Sequence, residues 1–554
     1  LKAQLLVVQD LERALLTDPE SSEVLRQHNR VQQDLAEERR LQALKPEPGS
    51  SADAPADIKA QLEACRVIEG LTRILVDTTL PCISAGKENQ ASVPAGLGPL
   101  PNRGTNGKLH SEAAITKAAT EAKSKIAGSD DLRAYLRSCG GLTAAMSQVQ
   151  AASQAPEERA AILTSCTELL NEACQIDTNA RHVAGCTPER NTPSAGKSPT
   201  AFLAALCSLC SKHFSVTVLL HTLSTEAEAR AAVAAAFTRS SGFALAEAVR
   251  SLPGLEITHR AILLSLLSNC AAVRAFQTAL SAAMHSEQCE SVLVDMLKAE
   301  TNPAALERVA ALVTNAASSA AIRRALGMQG SVGTLLVART SEMLSQGQPD
   351  AALACLQCIY NLALESGVQT ELVCKEWLAV LEWVMGDESI SQLNDMGVCA
   401  LFITARAASH NGMYSLLQAG GVVGRIAALA LDAKLNIEQQ LAKEAGSHKA
   451  LKVLDASVRA LTAWACMGQT EALLPKAMLQ LLIWTCSAAP VGDSCAGNAA
   501  LCLSHLADER YFSTRPTLDV LQMAVCELDL PETSDFTRIW LAAILAPSYS
   551  DPHK

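Results

Sequence analysis

Leu264-Ser265-Leu266-Leu267-Ser268-Asn269, Ala311-Leu312-Val313-Thr314-Asn315 and Cys358-Ile359-Tyr360-Asn361-Leu362-Ala363 are three apolar segments with an asparagine in matching places. The asparagines stand 46 residues apart in both intervals. Leu401-Phe402-Ile403-Thr404-Ala405-Arg406-Ala407 follows after 45 residues, with Arg406 where the asparagine stood. Upstream, Thr167-Glu168-Leu169-Leu170-Asn171-Glu172-Ala173 fits the same frame. Downstream, Ala460-Leu461-Thr462-Ala463-Trp464-Ala465 and Ala500-Leu501-Cys502-Leu503-Ser504-His505-Leu506-Ala507 continue it. Each segment has the apolar spacing of a helix, so the period marks a repeated helical unit.

Glycine marks the joints between units. Cys139-Gly140-Gly141-Leu142, Met328-Gln329-Gly330-Ser331-Val332 and Gln418-Ala419-Gly420-Gly421-Val422-Val423 each precede an apolar helix. Glycine suits a sharp turn there because it adopts φ values that side chains resist. A period of about 40–47 residues, three-helix units, a glycine joint and an inner-helix asparagine together resemble armadillo repeats. The resemblance covers residues 128–554, about nine units of that length.

A different pattern opens the chain. Val7, Leu11, Ala14 and Pro19 follow the second helix of a tetratricopeptide repeat, and residues 20–44 read as one charged amphipathic helix with Val24, Leu25, Val31 and Leu35 on its apolar side. Residues 1–44 thus resemble the last half-repeat and capping helix of a tetratricopeptide domain. Leu1 is not a native start, so the expectation is that an N-terminal part is missing. The expected fold class is all-α: an armadillo-type superhelical solenoid preceded by the end of a tetratricopeptide repeat domain. Residues 45–127 read as a linker with one helix at 58–80 and a flexible loop at 81–110. A second flexible loop is expected at 177–200, because both stretches are rich in turn formers and poor in periodicity.

Composition narrows the function. With 49% hydrophobic residues the chain can bury a large core, which excludes disorder throughout. Its 46 basic and 57 acidic residues give a net charge of −11, against a general nucleic-acid surface. The most apolar stretch, 477–489, is broken by Gln480 and Thr485 and falls short of a membrane span. The 19 cysteines fall singly within apolar patterns, as Cys270, Cys374, Cys399, Cys466 and Cys502 do, and read as reduced core thiols of a cytoplasmic protein.

The candidates for chemistry are poor. Asn191-Thr192-Pro193-Ser194-Ala195-Gly196-Lys197-Ser198 lacks the first glycine of a phosphate loop and has no preceding strand. Cys207, Cys210 and His213 have no second ligand pair, nor do Cys355 and Cys358. His182, His213, His221, His285 and His505 are scattered without a recognisable nucleophile. No catalytic residue, metal site or cofactor is assigned, and the chain is expected not to be an enzyme.

The inner-helix positions Asn269, Asn315, Asn361 and Arg406 are the candidate client-binding residues. Asparagine offers both amide donors and a carbonyl acceptor, which suits pairing with the backbone of an extended peptide. The same groups equally suit turns within the stack. Arg406 would favour an acidic ligand, unless it is a solvated surface side chain. Nuclear-import adaptors place a tryptophan one turn before each groove asparagine, whereas Ser265, Ala311 and Gln357 stand there. That class is disfavoured.

The order of modules is similar to a tetratricopeptide-plus-armadillo cochaperone family. One branch, with a shorter array, is implicated in cytoplasmic preassembly of axonemal dynein arms, and this chain resembles it in length and order. The other is the UNC-45-type myosin chaperone, whose central and C-terminal region is usually much longer than the stretch after residue 44 here. The resemblance implies a dynein or myosin heavy chain as client, and Hsp90 or Hsp70 as partner through repeats upstream of Leu1. A ciliary or cytoskeletal armadillo scaffold without chaperone links is the competing expectation.

Overall fold

The computed structural model describes residues 56–77, 112–186, 199–239, 242–328, 331–386, 395–410, 412–441, 448–469, 476–487 and 491–508. The tetratricopeptide-like residues 1–44, the linker at 45–51, the loop at 81–110 and the phosphate-loop-like Asn191–Ser198 lie outside them. Among the described residues the regular structure is helical, with no strand. The chain divides into two compact units, 1–283 and 284–554.

The first unit contains α1 (Ala56–Asp77), α2 (Glu112–Ile126), α3 (Asp130–Ser138), α4 (Gly141–Ala152), α5 (Ala160–Ala173) and α6 (Asp177–Ala184). It continues with α7 (Pro199–Leu209), α8 (Phe214–Thr225), α9 (Ala227–Phe237), α10 (Phe243–Ser251) and α11 (Ile257–Ala271). The division falls inside α12 (Arg274–Glu287). The second unit holds α13 (Cys289–Ala299), α14 (Pro303–Ala316), α15 (Ala320–Gly327), α16 (Val332–Ser345), α17 (Pro349–Leu362) and α18 (Ser366–Glu371). After these come α19 (Lys375–Met385), α20 (Asp395–Ala407), α21 (Met413–Ala419), α22 (Val422–Leu441), α23 (His448–Cys466), α24 (Lys476–Ser487) and α25 (Asp493–Asp508).

From α3 to α23 the helices fall into threes, and within each unit the third of one three packs on the third of the next. In the first unit α5 packs on α8 and α8 on α11; in the second α14, α17, α20, α23 and α25 stack in turn. We call these the ladder helices. Local sequence explains each one. In α14, Pro303 occupies the first turn, where no N–H is needed, and the Asn302 side chain accepts from the Ala305 N–H at 3.1 Å. Leu306, Val309, Ala310, Val313 and Ala316 then line one buried face at helical spacing. Burying a Leu or Val side chain of this kind contributes roughly 1.5–3 kcal/mol.

Five ladder helices, α5, α8, α11, α14 and α17, end on a recurring side-chain bridge. Asn179 Nδ2 donates to the Ala173 carbonyl at 2.9 Å, and Arg230 Nε to Ser224 at 2.8 Å. Gln277 Nε2 donates to Ala271 at 2.8 Å, Arg323 Nη1 to Ala317 at 2.9 Å and Gln369 Nε2 to Ala363 at 2.8 Å. In every case the donor sits six residues after its acceptor. Each side chain satisfies a carbonyl at the ladder helix's C-terminal end, which the helix itself leaves unpaired. Replacing Gln369 by alanine is expected to cost about 0.5–1.5 kcal/mol. Hydrogen exchange at the end of α17 checks this; unchanged exchange there would contradict it.

The glycine joints have the geometry their residues require. Gly140 and Gly421 are left-handed, at φ 82° and 70°. At the second joint the other glycine is needed for space, since a Cβ on Gly420 would lie 2.4 Å from Leu378 Cδ1. The third joint differs: Ser331 takes the left-handed conformation at φ 66°, with residues 329 and 330 outside the described set.

Two expectations need correction. The linker assigned to 45–127 holds a second helix, α2, and α1 and α2 pack into the first unit rather than standing apart. The buried stripe of α2 is Ile115, Ala118, Ala119, Ala122 and Ile126, and alanine gives too weak a hydrophobic signal for that stripe to stand out. The loop assigned to 177–200 begins as a helix, α6. Val183 and Ala180 are buried there, Asn179 turns inward to donate to the Arg133 and Ala173 carbonyls, and left-handed Gly185 ends it. A polar residue that looks like a loop former is here an internal bridge.

Candidate functional site

The candidate residues occupy equivalent places on ladder helices. In the first unit Asn269, near the end of α11, donates through Nδ2 to Ser224 Oγ on α8 at 2.9 Å. Thr222 on α8 donates in turn to Asn171 Oδ1 on α5 at 2.6 Å. Thr222 belongs to the same series, although nothing in its residue type announces it. Its position 47 residues before Asn269 was the available signal.

In the second unit Asn315, Asn361 and Arg406 are brought onto successive ladder helices α14, α17 and α20. Asn361 Nδ2 donates to the Thr314 carbonyl at 2.8 Å. Arg406 donates from Nη1 to the Tyr360 carbonyl, so Asn361 and Arg406 both reach back to the backbone one unit earlier. Asn315 is exposed, whereas Asn361 and Arg406 are half-buried. The asparagine amides are thus partly engaged inside the stack, which leaves less of each for a peptide backbone.

Arg406 is a more specific feature than its sequence position implies. Its guanidinium lies over the Tyr360 ring, 3.4 Å from the centroid, and that ring meets Phe402 edge-on at 6.1 Å. A cation over an aromatic face at this range is attracted by the ring quadrupole, by about 0.5–2 kcal/mol depending on exposure. Burial, with the fields of Arg459 and Arg323, holds Arg406 below the usual arginine value. Arg323 is paired with Glu365 at 3.3 Å and Arg459 with Asp455 at 3.0 Å, but Arg406 has no carboxylate partner among the described residues. The sequence alone does not single out Tyr360 and Arg459, because their part depends on neighbours from other repeats.

The cysteine candidates lie in the packing. Cys207 ends one face of α7, whereas Cys210 falls just beyond that helix and His213 caps the start of α8, so the three do not form one helical stripe. Cys207 and Cys210 are both buried, and burial pushes the Cys210 thiol up to about 12. Cys355 is pushed up to about 12 for the same reason, and its neighbour Cys358 well above the ordinary value. Thiols in such surroundings are poor nucleophiles and poor metal ligands, since both roles need the thiolate. Among the described residues no group of three or more His, Cys, Asp or Glu side chains is placed to hold a metal ion. No single helix among them is long and apolar enough to cross a membrane.

No protein-family model matches the chain, and no curated protein does. Among solved structures it is similar to the crystal structure of an engineered protein, with a TM-score of 0.60 and 13% identity, over 87% of this chain and 98% of that one. At that identity the likeness speaks to the fold alone. What fold and comparison define is a class: an all-α protein built from packed helices.

Proposed function

We propose that the chain is an armadillo-type binding scaffold that holds a protein client along its ladder helices. The observation that carries this reading is the run of polar side chains, from Thr314 and Asn315 through Asn361 to Arg406, set at one level on helices that stack in register. Three-helix units, left-handed glycine at two joints and the 46-residue spacing favour armadillo over other helical repeats. Such a scaffold presents a long surface and needs no catalytic residue.

Within that reading the client is a dynein heavy chain, and the role is that of a cytoplasmic cochaperone in assembly of axonemal dynein arms. Support comes from module order: a tetratricopeptide-like end at residues 1–44 ahead of an armadillo-like array, joined by the Pro/Gly/Ser-rich stretch at 45–51. A module that grips chaperone tails, tethered to one that holds a client, raises the effective concentration of each for the other. Hsp90 or Hsp70 is the expected partner of the first module. Co-purification of the whole protein from ciliated cells tests the assignment. Dynein heavy chain together with a chaperone is the expected result; myosin heavy chain without dynein would replace it with the myosin-chaperone reading.

A further inference from the structure

Arg406 carries the surplus charge of its neighbourhood. Of the three arginines whose fields meet there, Arg323 and Arg459 are each neutralised by a carboxylate of their own, Glu365 and Asp455. Arg323 also spends Nη1 on the Ala317 and Ser318 carbonyls, and Arg459 spends Nη2 on Ser494 Oγ at 3.1 Å. Among the described residues Arg406 makes one hydrogen bond, to the Tyr360 carbonyl, and it stacks on the Tyr360 ring. A guanidinium has five N–H donors in a planar fork, so most of them have no protein acceptor among the described residues.

A half-buried cation without a counter-ion is costly unless something completes it. Stacking on Tyr360 fixes the guanidinium plane and lowers the entropy lost when an anion joins its edge. A carboxylate matches that edge with two parallel N–H···O bonds. We propose that Arg406, stacked on Tyr360, is a carboxylate-binding subsite that takes an acidic residue of an extended polypeptide partner. The proposal rests on the reading of the ladder face as the client-binding surface, and it adds the charge of the segment held there. An acidic partner is selected although the chain itself carries a net charge of −11, because the field at this place is set by Arg406 and not by the average.

The test uses the whole chain and a short fluorescein-labelled peptide of alternating Glu and Gly, with Gln-for-Glu and Lys-for-Glu versions, read by anisotropy. The Glu peptide is expected to bind, more weakly at higher salt, and at least about tenfold more tightly than the Gln peptide, in line with a charge-assisted pair. Arg406→Ala should weaken the Glu peptide by about tenfold or more. Arg406→Lys should fall between, keeping the charge but losing the fork, and Arg324→Ala on α15 should change nothing. Circular dichroism melting establishes that each variant is folded. If Arg406→Ala fails to fold, the Glu-against-Gln ratio of the unaltered protein together with Arg406→Lys decides. Equal binding of Glu and Gln peptides, no binding of either, or unchanged Glu binding in a folded Arg406→Ala protein overturns the subsite. Co-purification of a client despite such a result leaves the scaffold reading standing, whereas loss of both would remove both.

Discussion

Replacing Trp464 by alanine is expected to destabilise the second unit by about 3–5 kcal/mol, the usual range for deleting a buried aromatic side chain. Trp464 is fully buried on α23, and its ring meets Tyr414 of α21 edge-on at 5.6 Å. The ladder there is tight: α23 packs on both α20 and α25, so the vacated space has little freedom to collapse. Stacked repeats unfold in parts, which makes a single melting temperature a poor measure. Hydrogen exchange resolves the parts. Amides of α22 and α23 should exchange at least about a hundredfold faster, since each ~1.4 kcal/mol is a factor of ten. Trp383→Ala is the control: its side chain on α19 is 55% exposed, and its loss should shift exchange by no more than about 0.5 kcal/mol. Equal effects from the two replacements would contradict the placement of both rings.

The second large effect lies where α18 meets the start of α16. Glu371 accepts from three N–H groups of that helix start: Ser331 at 2.8 Å, Gly333 at 2.5 Å and Thr334 at 3.2 Å. A carboxylate there satisfies otherwise unpaired donors and complements the positive end of the helix dipole. The same closeness leaves no room for a side chain at Gly333. An added Cβ would stand 2.8 Å from Glu371 Oε2 and 3.1 Å from Val368 Cγ1. An unhindered side-chain end would swing away, but this one is held by its three bonds. Gly333→Ala should therefore cost about 1–3 kcal/mol, the range for overpacking, despite the entropy alanine saves in the unfolded chain. Glu371→Ala should cost about 0.5–2 kcal/mol as a lost cap. The double replacement should cost less than the two together, because the clash leaves with the carboxylate, with a coupling of about 0.5–3 kcal/mol. Strict additivity in urea unfolding would show that Glu371 does not make the position glycine-only.

The period, legible from Asn269, Asn315 and Asn361, places α11, α14 and α17 correctly, because identical side chains recur where identical packing is needed. The glycines at 140 and 421 were legible for a related reason: backbone conformation restricts residue type more than packing does. The six-residue bridge was not legible. Asn179, Arg230, Gln277, Arg323 and Gln369 share only a donor N–H on a side chain long enough to reach back, so the position repeats in chemistry without repeating in identity. The helix α2 was hidden by alanine, and α6 by polar residues that point inward. Of the site, Arg406 stood out by replacing an asparagine. Its stack on Tyr360 and its lack of a carboxylate partner among the described residues depend on which neighbours other repeats supply, and spacing along one chain does not encode that.

The central claim, that a client is held along the ladder helices, is tested most directly by photo-crosslinking the whole protein in ciliated cells. A photoreactive residue at Asn361, on ladder helix α17, is compared with one at the exposed Trp383 on α19. The account predicts crosslinks to a dynein heavy chain from position 361 and none from position 383. Crosslinks from position 383 alone, or none from position 361, would contradict it.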